Sequence, residues 1–349
     1  MKKFKRLIIL TLIPILLELA GFLFIDQFYL NDETVFNTKK VDAANKKLNN
    51  INVELPNGAS NIGVSYNGNY ISYTEDGKVT VVDTSNNKKK QIEIDRGCTF
   101  SICKWLPDRD IMLVSYKYID SQRKGFIKFK SYNAKKDEST ALSNEKSKEL
   151  SIPLNDSNSD VQNITLSTAT NVTYVQVGLK GTISKIYRIN VMAQMEATKY
   201  VSCTLGNISV VNKEDKLVYE DRTNNRIRVV GMINPIATGE NATHYLLGTD
   251  EDDMIYIGNG EDNKISKIFT TSITGAKSQL KTYNLSNAAD IKDIYVSRSG
   301  KIYINDSTKS KLTEVISGKE VDYKGIFIKI FDNGIISNNN GKIISTHFN

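Results

Sequence analysis

The chain has 349 residues, of which 40% are hydrophobic and 24% charged, with a formal net charge of +7. These proportions belong to a chain that buries a core, and they exclude a disordered protein, a collagen and a coiled coil. Three cysteines and two histidines, His244 and His347, exclude a disulfide scaffold and most structural zinc sites.

The chain opens Met1-Lys2-Lys3-Phe4-Lys5-Arg6 and then runs apolar from Leu7 to Ile25. Nineteen residues at about 1.5 Å each match the hydrocarbon thickness of a bilayer. Four positive charges precede the run and Asp26 follows it, so the expected reading is a cytoplasmic tail over 1–6 and a transmembrane signal anchor over 7–25. A cleaved signal peptide is disfavoured, because Phe24-Ile25-Asp26-Gln27-Phe28 offers no small-x-small site. Glu18 stands inside this run, where a carboxylate costs about 2–3 kcal/mol. It either contacts another membrane helix or snorkels to the surface. Residues 26–50 are polar and basic and read as a spacer.

Beyond Ile51 the texture changes to short β-branched and aromatic runs broken by Asn, Asp and Gly. Short strands at even spacing indicate an all-β barrel, sandwich or propeller. Residues 62–83 read as strand, turn at Asn67-Gly68, strand, turn at Asp76-Gly77, strand. Asn-Gly and Asp-Gly mark tight hairpins because both central residues adopt positive φ, which singles out Gly68 and Gly77 as structural residues. Similar hairpins follow, with first turns near 68, 108, 170, 214, 252, 300 and 334. A repeat centred in the low forties predicts a β-propeller of seven four-stranded blades over 51–349, with six or eight as alternatives. The stretch 134–150 is charged and serine-rich and reads as a long loop. The last unit, 320–349, supplies only three strands, and Ile51–Pro56 alternates like a strand without a blade of its own. It is the expected closing strand of the final blade.

The segment Ser65-Tyr66-Asn67-Gly68-Asn69-Tyr70-Ile71-Ser72-Tyr73, ending in Val81-Val82-Asp83, resembles the repeat of TolB-type and dipeptidyl-peptidase-IV N-terminal propellers, which are related to WD40. Trp105-Leu106-Pro107-Asp108-Arg109 resembles the same motif. The other units match in spacing and hydrophobic pattern. The resemblance implies a fold and no activity. Trp105, the only tryptophan, is expected at least half buried between adjacent blades.

Chemistry is sparse. No Gly-x-Ser-x-Gly elbow occurs, and two histidines do not assemble a triad. Thr249-Asp250-Glu251-Asp252-Asp253 is the densest acidic cluster, but it lacks the spacing of a calcium loop and reads as a solvated turn. Cys98 and Cys103 could pair outside a cell, although buried free thiols suit their spacing better. The basic residues are scattered, with no arginine–aromatic stripe, so no nucleic acid is expected. No cofactor and no metal are expected either.

Two functions compete on this basis. The first is a membrane-anchored, non-enzymatic propeller acting as scaffold, accessory or sensor subunit of a bacterial cell-envelope complex. It would be a single-pass protein of the cell membrane with its C-terminal domain extracytoplasmic, in the bilayer through 7–25, with a membrane protein partner met through Glu18. The alternative is a ligand-binding or hydrolytic propeller that uses its central channel for carbohydrate or peptide.

Overall fold

The computed structural model describes residues 14, 17–22, 50–179, 183–198, 203–273, 280–331 and 333–348. The chain divides into two units, 1–46 and 47–349. In the first, residues 17–22 are helical and exposed.

The second unit is a seven-bladed β-propeller. β1 (Asn52–Glu54) comes first in the chain and joins the last blade. Blade 1 is β2 (Ser60–Val64), β3 (Tyr70–Glu75), β4 (Lys78–Asp83) and β5 (Lys89–Ile92). Blade 2 is β6 (Cys98–Trp105), β7 (Ile111–Ile119) and β8 (Gly125–Asn133), with β9 (Glu138–Ala141) and β10 (Ser151–Pro153) both pairing β8. Blade 3 is β11 (Asp160–Ser167), β12 (Val172–Gly178), β13 (Lys185–Ile189) and β14 (Met195–Ala197). Blade 4 is β15 (Leu205–Val211), β16 (Lys216–Asp221) and β17 (Arg226–Val229), and Ile236 N donates to Ile227 O where a fourth strand would run. Blade 5 is β18 (Thr243–Thr249), β19 (Ile255–Glu261), β20 (Lys264–Thr271) and β21 (Lys281–Asp290). Blade 6 is β22 (Ile294–Val296), β23 (Ile302–Asp306), β24 (Lys311–Glu314) and β25 (Glu320–Asp322). Blade 7 is β26 (Ile326–Phe331), β27 (Gly334–Asn339) and β28 (Lys342–His347), completed by β1.

The closing strand works by register. Val53 faces Ile343 in the antiparallel β1–β28 pair, and Ile51 N donates to Ser345 Oγ at 3.0 Å. Ile51, Val53 and Leu55 pack with blade 7 residues Ile336 and Ile343 and blade 1 residues Ile71 and Val82. One strand thus covers a sheet edge and joins the first blade to the last.

A blade is apolar on both faces and must bury each against a neighbour. Seven buried clusters do this, one at each seam between neighbouring blades. The seam between blades 1 and 2 holds Val79, Val81 and Ile92 against Trp105, Met112 and Tyr132. Trp105 is 7% exposed, and its Nε1 donates to the buried Ser72 Oγ at 2.9 Å. Gly63 is needed beside it, because a Cβ there would sit 2.7 Å from Ser72 Oγ and 3.2 Å from the indole.

The repeat read from the sequence is a turn device. In blade 1 the buried Ser65 Oγ accepts from Tyr70 N and donates to Asn67 Oδ1, which also accepts from Asn69 N. Ser167 in blade 3 and Ser297 in blade 6 hold their own turns the same way, accepting from Thr170 N and Lys301 N. Gly68 has φ 77°, and Asp76-Gly77 have φ 50° and 73°, the two positive values that a tight hairpin demands.

Several expectations are corrected. Among the described residues no helix is long and apolar enough to cross a membrane. Apart from residue 14, the rest of 7–25, the tail 1–6 and the spacer over 26–49 lie outside the described residues. The transmembrane helix ahead of the propeller is therefore withdrawn. With it go the single-pass membrane location, the bilayer contact through 7–25, the membrane-anchored role and the membrane partner met through Glu18. Glu18 itself is helical and exposed. The stretch 134–150 is not simply a loop, since β9 lies in it. Its four residues are exposed at the outer rim, so no apolar alternation marks the strand. Because β8 has nine residues and its outer partner is split into β9 and β10, this blade also accounts for the long interval between the turns near 108 and 170.

Candidate functional site: the central channel

The first strand of each blade is the innermost, and these strands surround the channel. Six of the seven, β2, β6, β11, β15, β18 and β26, carry a register shift in their pairing with the next strand. Such bulges turn side chains that a regular pleat would send elsewhere.

The inner hairpin turns all lie on one face and are laced from blade to blade. Asn67 Nδ2 donates to Asp110 Oδ2 of blade 2. Asn212 Oδ1 of blade 4 accepts from Thr168 N and Ala169 N of blade 3, and Asn212 N donates to Asp253 Oδ1 of blade 5 at 2.7 Å. Tyr256 Oη of blade 5 donates to Gly300 O of blade 6 at 2.9 Å. This is where the acidic cluster falls. Asp250 accepts from Asp252 N, Met254 N and Tyr256 Oη, Asp253 holds blade 4, and Glu251 pairs with Arg298 at 3.2 Å. Arg298 Nη1 also donates to Pro107 O at 2.6 Å. Arg298 belongs to blade 6 and Pro107 to blade 2, which are not neighbours, so this side chain crosses the channel mouth.

Beneath the crossing lies a cavity of ≈ 140 Å³ lined by Pro107, Thr165, Ser209 and Arg298. A second, of ≈ 240 Å³, lies along the inner strands and is lined by Lys104, Asn163, Thr165, Asn207, Ser209 and Leu247. Thr165 and Ser209 line both, so the two cavities adjoin.

Two lysines stand on the inner strands, and Lys104 lines the second cavity. Lys104 on β6 is reached by solvent along the channel but is ringed by protein, and desolvation lowers its pKa. Lys329 on β26 donates to Val64 O at 2.8 Å and sits 4.9 Å from the Phe331 ring centroid. Desolvation and the charge of Lys104 hold Lys329 down to about 8. Neither lysine was singled out from the sequence.

The histidines lie elsewhere. His244 is buried with Thr238 and Arg226 as neighbours, and burial together with the Arg226 cation lowers its pKa. His347 contacts Asn50 Oδ1 on the outer closing pair. Among the described residues no group of His, Cys, Asp or Glu is arranged to hold a metal. Cys98, Cys103 and Cys203 are free thiols, and only Cys203 is buried. Burial and nearby Asp221 push its thiol up to about 12.

No known family profile and no curated protein matches the chain. Solved structures do match its fold. One of two prolyl endopeptidases aligns at TM-score 0.51 and 13% identity over 76% of this chain, which spans 42% of that structure. The WD40 β-propeller domain of Doa1 aligns at TM-score 0.51 and 11% identity, covering 85% of this chain and 96% of the domain. KlHsv2 with its loop 6CD replaced by a Gly-Ser linker aligns at 0.48 and 12%, covering 86% and 90%. At these identities the likeness shows the fold alone. The expected kinship with TolB-type and dipeptidyl-peptidase-IV N-terminal propellers behind an anchor is corrected to that coarser statement, a seven-bladed WD40-like propeller.

Proposed function

We propose that this chain is a binding module that holds a polar ligand in its central channel and catalyses nothing. The observation that carries the reading is the convergence of Lys104, Asn163, Thr165, Asn207 and Ser209 on one axial cavity. Other strong polar groups of the inner turns are spent holding blades together, as Asn212, Asp250 and Asp253 are. Asn207 and Ser209 also tie blade 4 to blade 5, through Leu246 O and Thr249 Oγ1, which leaves Lys104, Asn163 and Thr165 as the channel groups not spent in this way. Arg298 across one mouth makes the opposite face the natural entrance. Both histidines lie away from the cavity lining, which supports binding rather than turnover.

The test is a thermal-shift panel of small polar molecules, sugars and short peptides on the full chain, run beside turnover assays on peptide, ester and glycoside substrates. Thr165→Trp should fill the channel and abolish the stabilisation given by any hit. Stabilisation that survives Thr165→Trp would move the site away from the channel. Turnover abolished by a channel substitution would make the protein an enzyme.

A further inference from the structure

Five Asn-Gly steps occur in the chain, at 57–58, 67–68, 259–260, 333–334 and 340–341. Such a step rearranges when the glycine nitrogen attacks the asparagine side-chain carbonyl, and glycine favours this because it has no Cβ to hinder the approach or stiffen the backbone. The attack needs an asparagine amide free to turn, a glycine N–H that is not held, and a main chain with room to bend. The structure sorts the five steps by these requirements.

At four of them a reacting group is held or buried. Asn67 Oδ1 accepts from Ser65 Oγ and Asn69 N, and Gly68 N donates to Ser65 O. Asn259 is buried, and its Nδ2 donates to Glu240 Oε2 at 2.9 Å. Gly334 is buried in β27, and Gly341 N donates to Asn338 Oδ1 at 2.8 Å. Asn57-Gly58 differs in each respect. Both residues are exposed in the turn between β1 and β2, and among the described residues no hydrogen bond engages the Asn57 side chain or the Gly58 N–H.

This turn joins the closing strand to blade 1. On one side Leu55 is buried and its N donates to Gly341 O at 2.8 Å. On the other, Ala59 packs against the same seam, and its N donates to Pro56 O at 3.0 Å. Both ends of the turn are therefore fixed, and a change of main-chain length between them acts on the clasp.

We propose that Asn57 is a site of spontaneous deamidation, selected from the five Asn-Gly steps by the fold, and that its conversion loosens the closing strand. Gly58 N gives its proton to hydroxide and bonds to Asn57 Cγ. The Cγ–Nδ2 bond breaks, and the nitrogen leaves as ammonia after taking a proton from water. A second water then opens the cyclic imide. Opening at Cγ gives aspartate at 57. Opening at the main-chain carbonyl gives isoaspartate, in which the backbone runs through the side chain and gains one methylene. Either product places a new negative charge beside Glu75, whose carboxylate lies next to Gly58.

The experiment is incubation of the full chain at pH 8, followed by peptide mapping with fragmentation that locates each converted asparagine. Asn57 should convert first, with isoaspartate among the products, while Asn67, Asn259, Asn333 and Asn340 stay amides. The rate should rise with pH, because Gly58 N must lose its proton. Gly58→Ala is the control. Gly58 does not have a positive φ, and a Cβ there would meet Glu75 at an ordinary 3.5 Å, so the variant should melt as the fresh wild type does. It should slow conversion by about tenfold or more. Aged wild type should melt lower than fresh protein, and aged Gly58→Ala should not. Conversion of another Asn-Gly step as fast as Asn57, no conversion at 57, or an equal rate in Gly58→Ala overturns the site. Complete conversion at an unchanged melting temperature overturns its link to the clasp.

Discussion

Lys104 and Trp105 are consecutive residues of β6, and they live in opposite worlds. Trp105 enters the dry seam between blades 1 and 2, where its ring is covered and its one N–H is satisfied by Ser72. Lys104 enters the channel, where it is hemmed in and has no partner among the described residues. The seam obeys the rules of a stable core, since the indole is covered by apolar side chains and its N–H is paired. The channel breaks them.

This contrast between seam and channel can be broken experimentally. Removing Ile51–Pro56 should have the largest effect, since it uncovers β28 and empties the seam between blades 7 and 1. The expected outcome is loss of a single cooperative melting transition, read by calorimetry. An unchanged melting temperature would show that the ring closes without its clasp.

Trp105→Ala should come next, at about 3–5 kcal/mol of destabilisation in chemical denaturation. Trp105→Phe keeps most of the apolar area but leaves Ser72 without its donor, and about 1–2 kcal/mol is expected. If the two variants cost the same, the hydrogen bond and not the packing governs the seam.

Lys329→Met should act in the other direction and raise stability at pH 7. The sign follows from the proton balance. In the folded chain Lys329 titrates near 8, against 10.5 for a free lysine, so folding disfavours its protonated form. Below pH 8 both states carry the proton and the cost is present in full. As pH rises through 8 towards 10.5 the folded chain releases its proton first, and the cost disappears. The melting advantage of Lys329→Met over wild type should therefore be constant below pH 7 and shrink above pH 8. An advantage independent of pH would indicate a packing effect.

Arg298→Ala should have the smallest effect on stability, within about 1 kcal/mol, because its pair with Glu251 is half exposed. Its consequence belongs to access. Opening the strapped mouth should speed association and dissociation of a channel ligand in stopped-flow measurements, with little change in melting temperature. Unchanged rates would mean that traffic does not use that mouth.

The sequence by itself determined the ring. Asn-Gly and Asp-Gly turns, serines that staple the turns after them, and alternating β-branched runs are local features. Each is legible because φ, hydrogen-bond reach and side-chain alternation are set within a few residues. The orphan strand at Ile51–Pro56 was legible for the same reason, together with a last unit one strand short. The apolar run over 7–25 is the expectation that did not hold: hydropathy over nineteen residues measures how willing a segment is to leave water, and among the described residues no helix is long and apolar enough to cross a membrane. Only the tertiary structure decided the channel. It is assembled from seven segments distant in sequence, and Lys104 and Lys329 come to stand on either side of blade 1 only because blades 2 and 7 flank it in the closed ring. Their direction was not legible either, because the register shifts between Phe100 and Cys103 and between Phe327 and Lys329 reset the alternation immediately before each lysine. A period of two cannot be carried through a bulge, so which face a side chain takes beyond it is decided by the pairing strand and the closure of the ring.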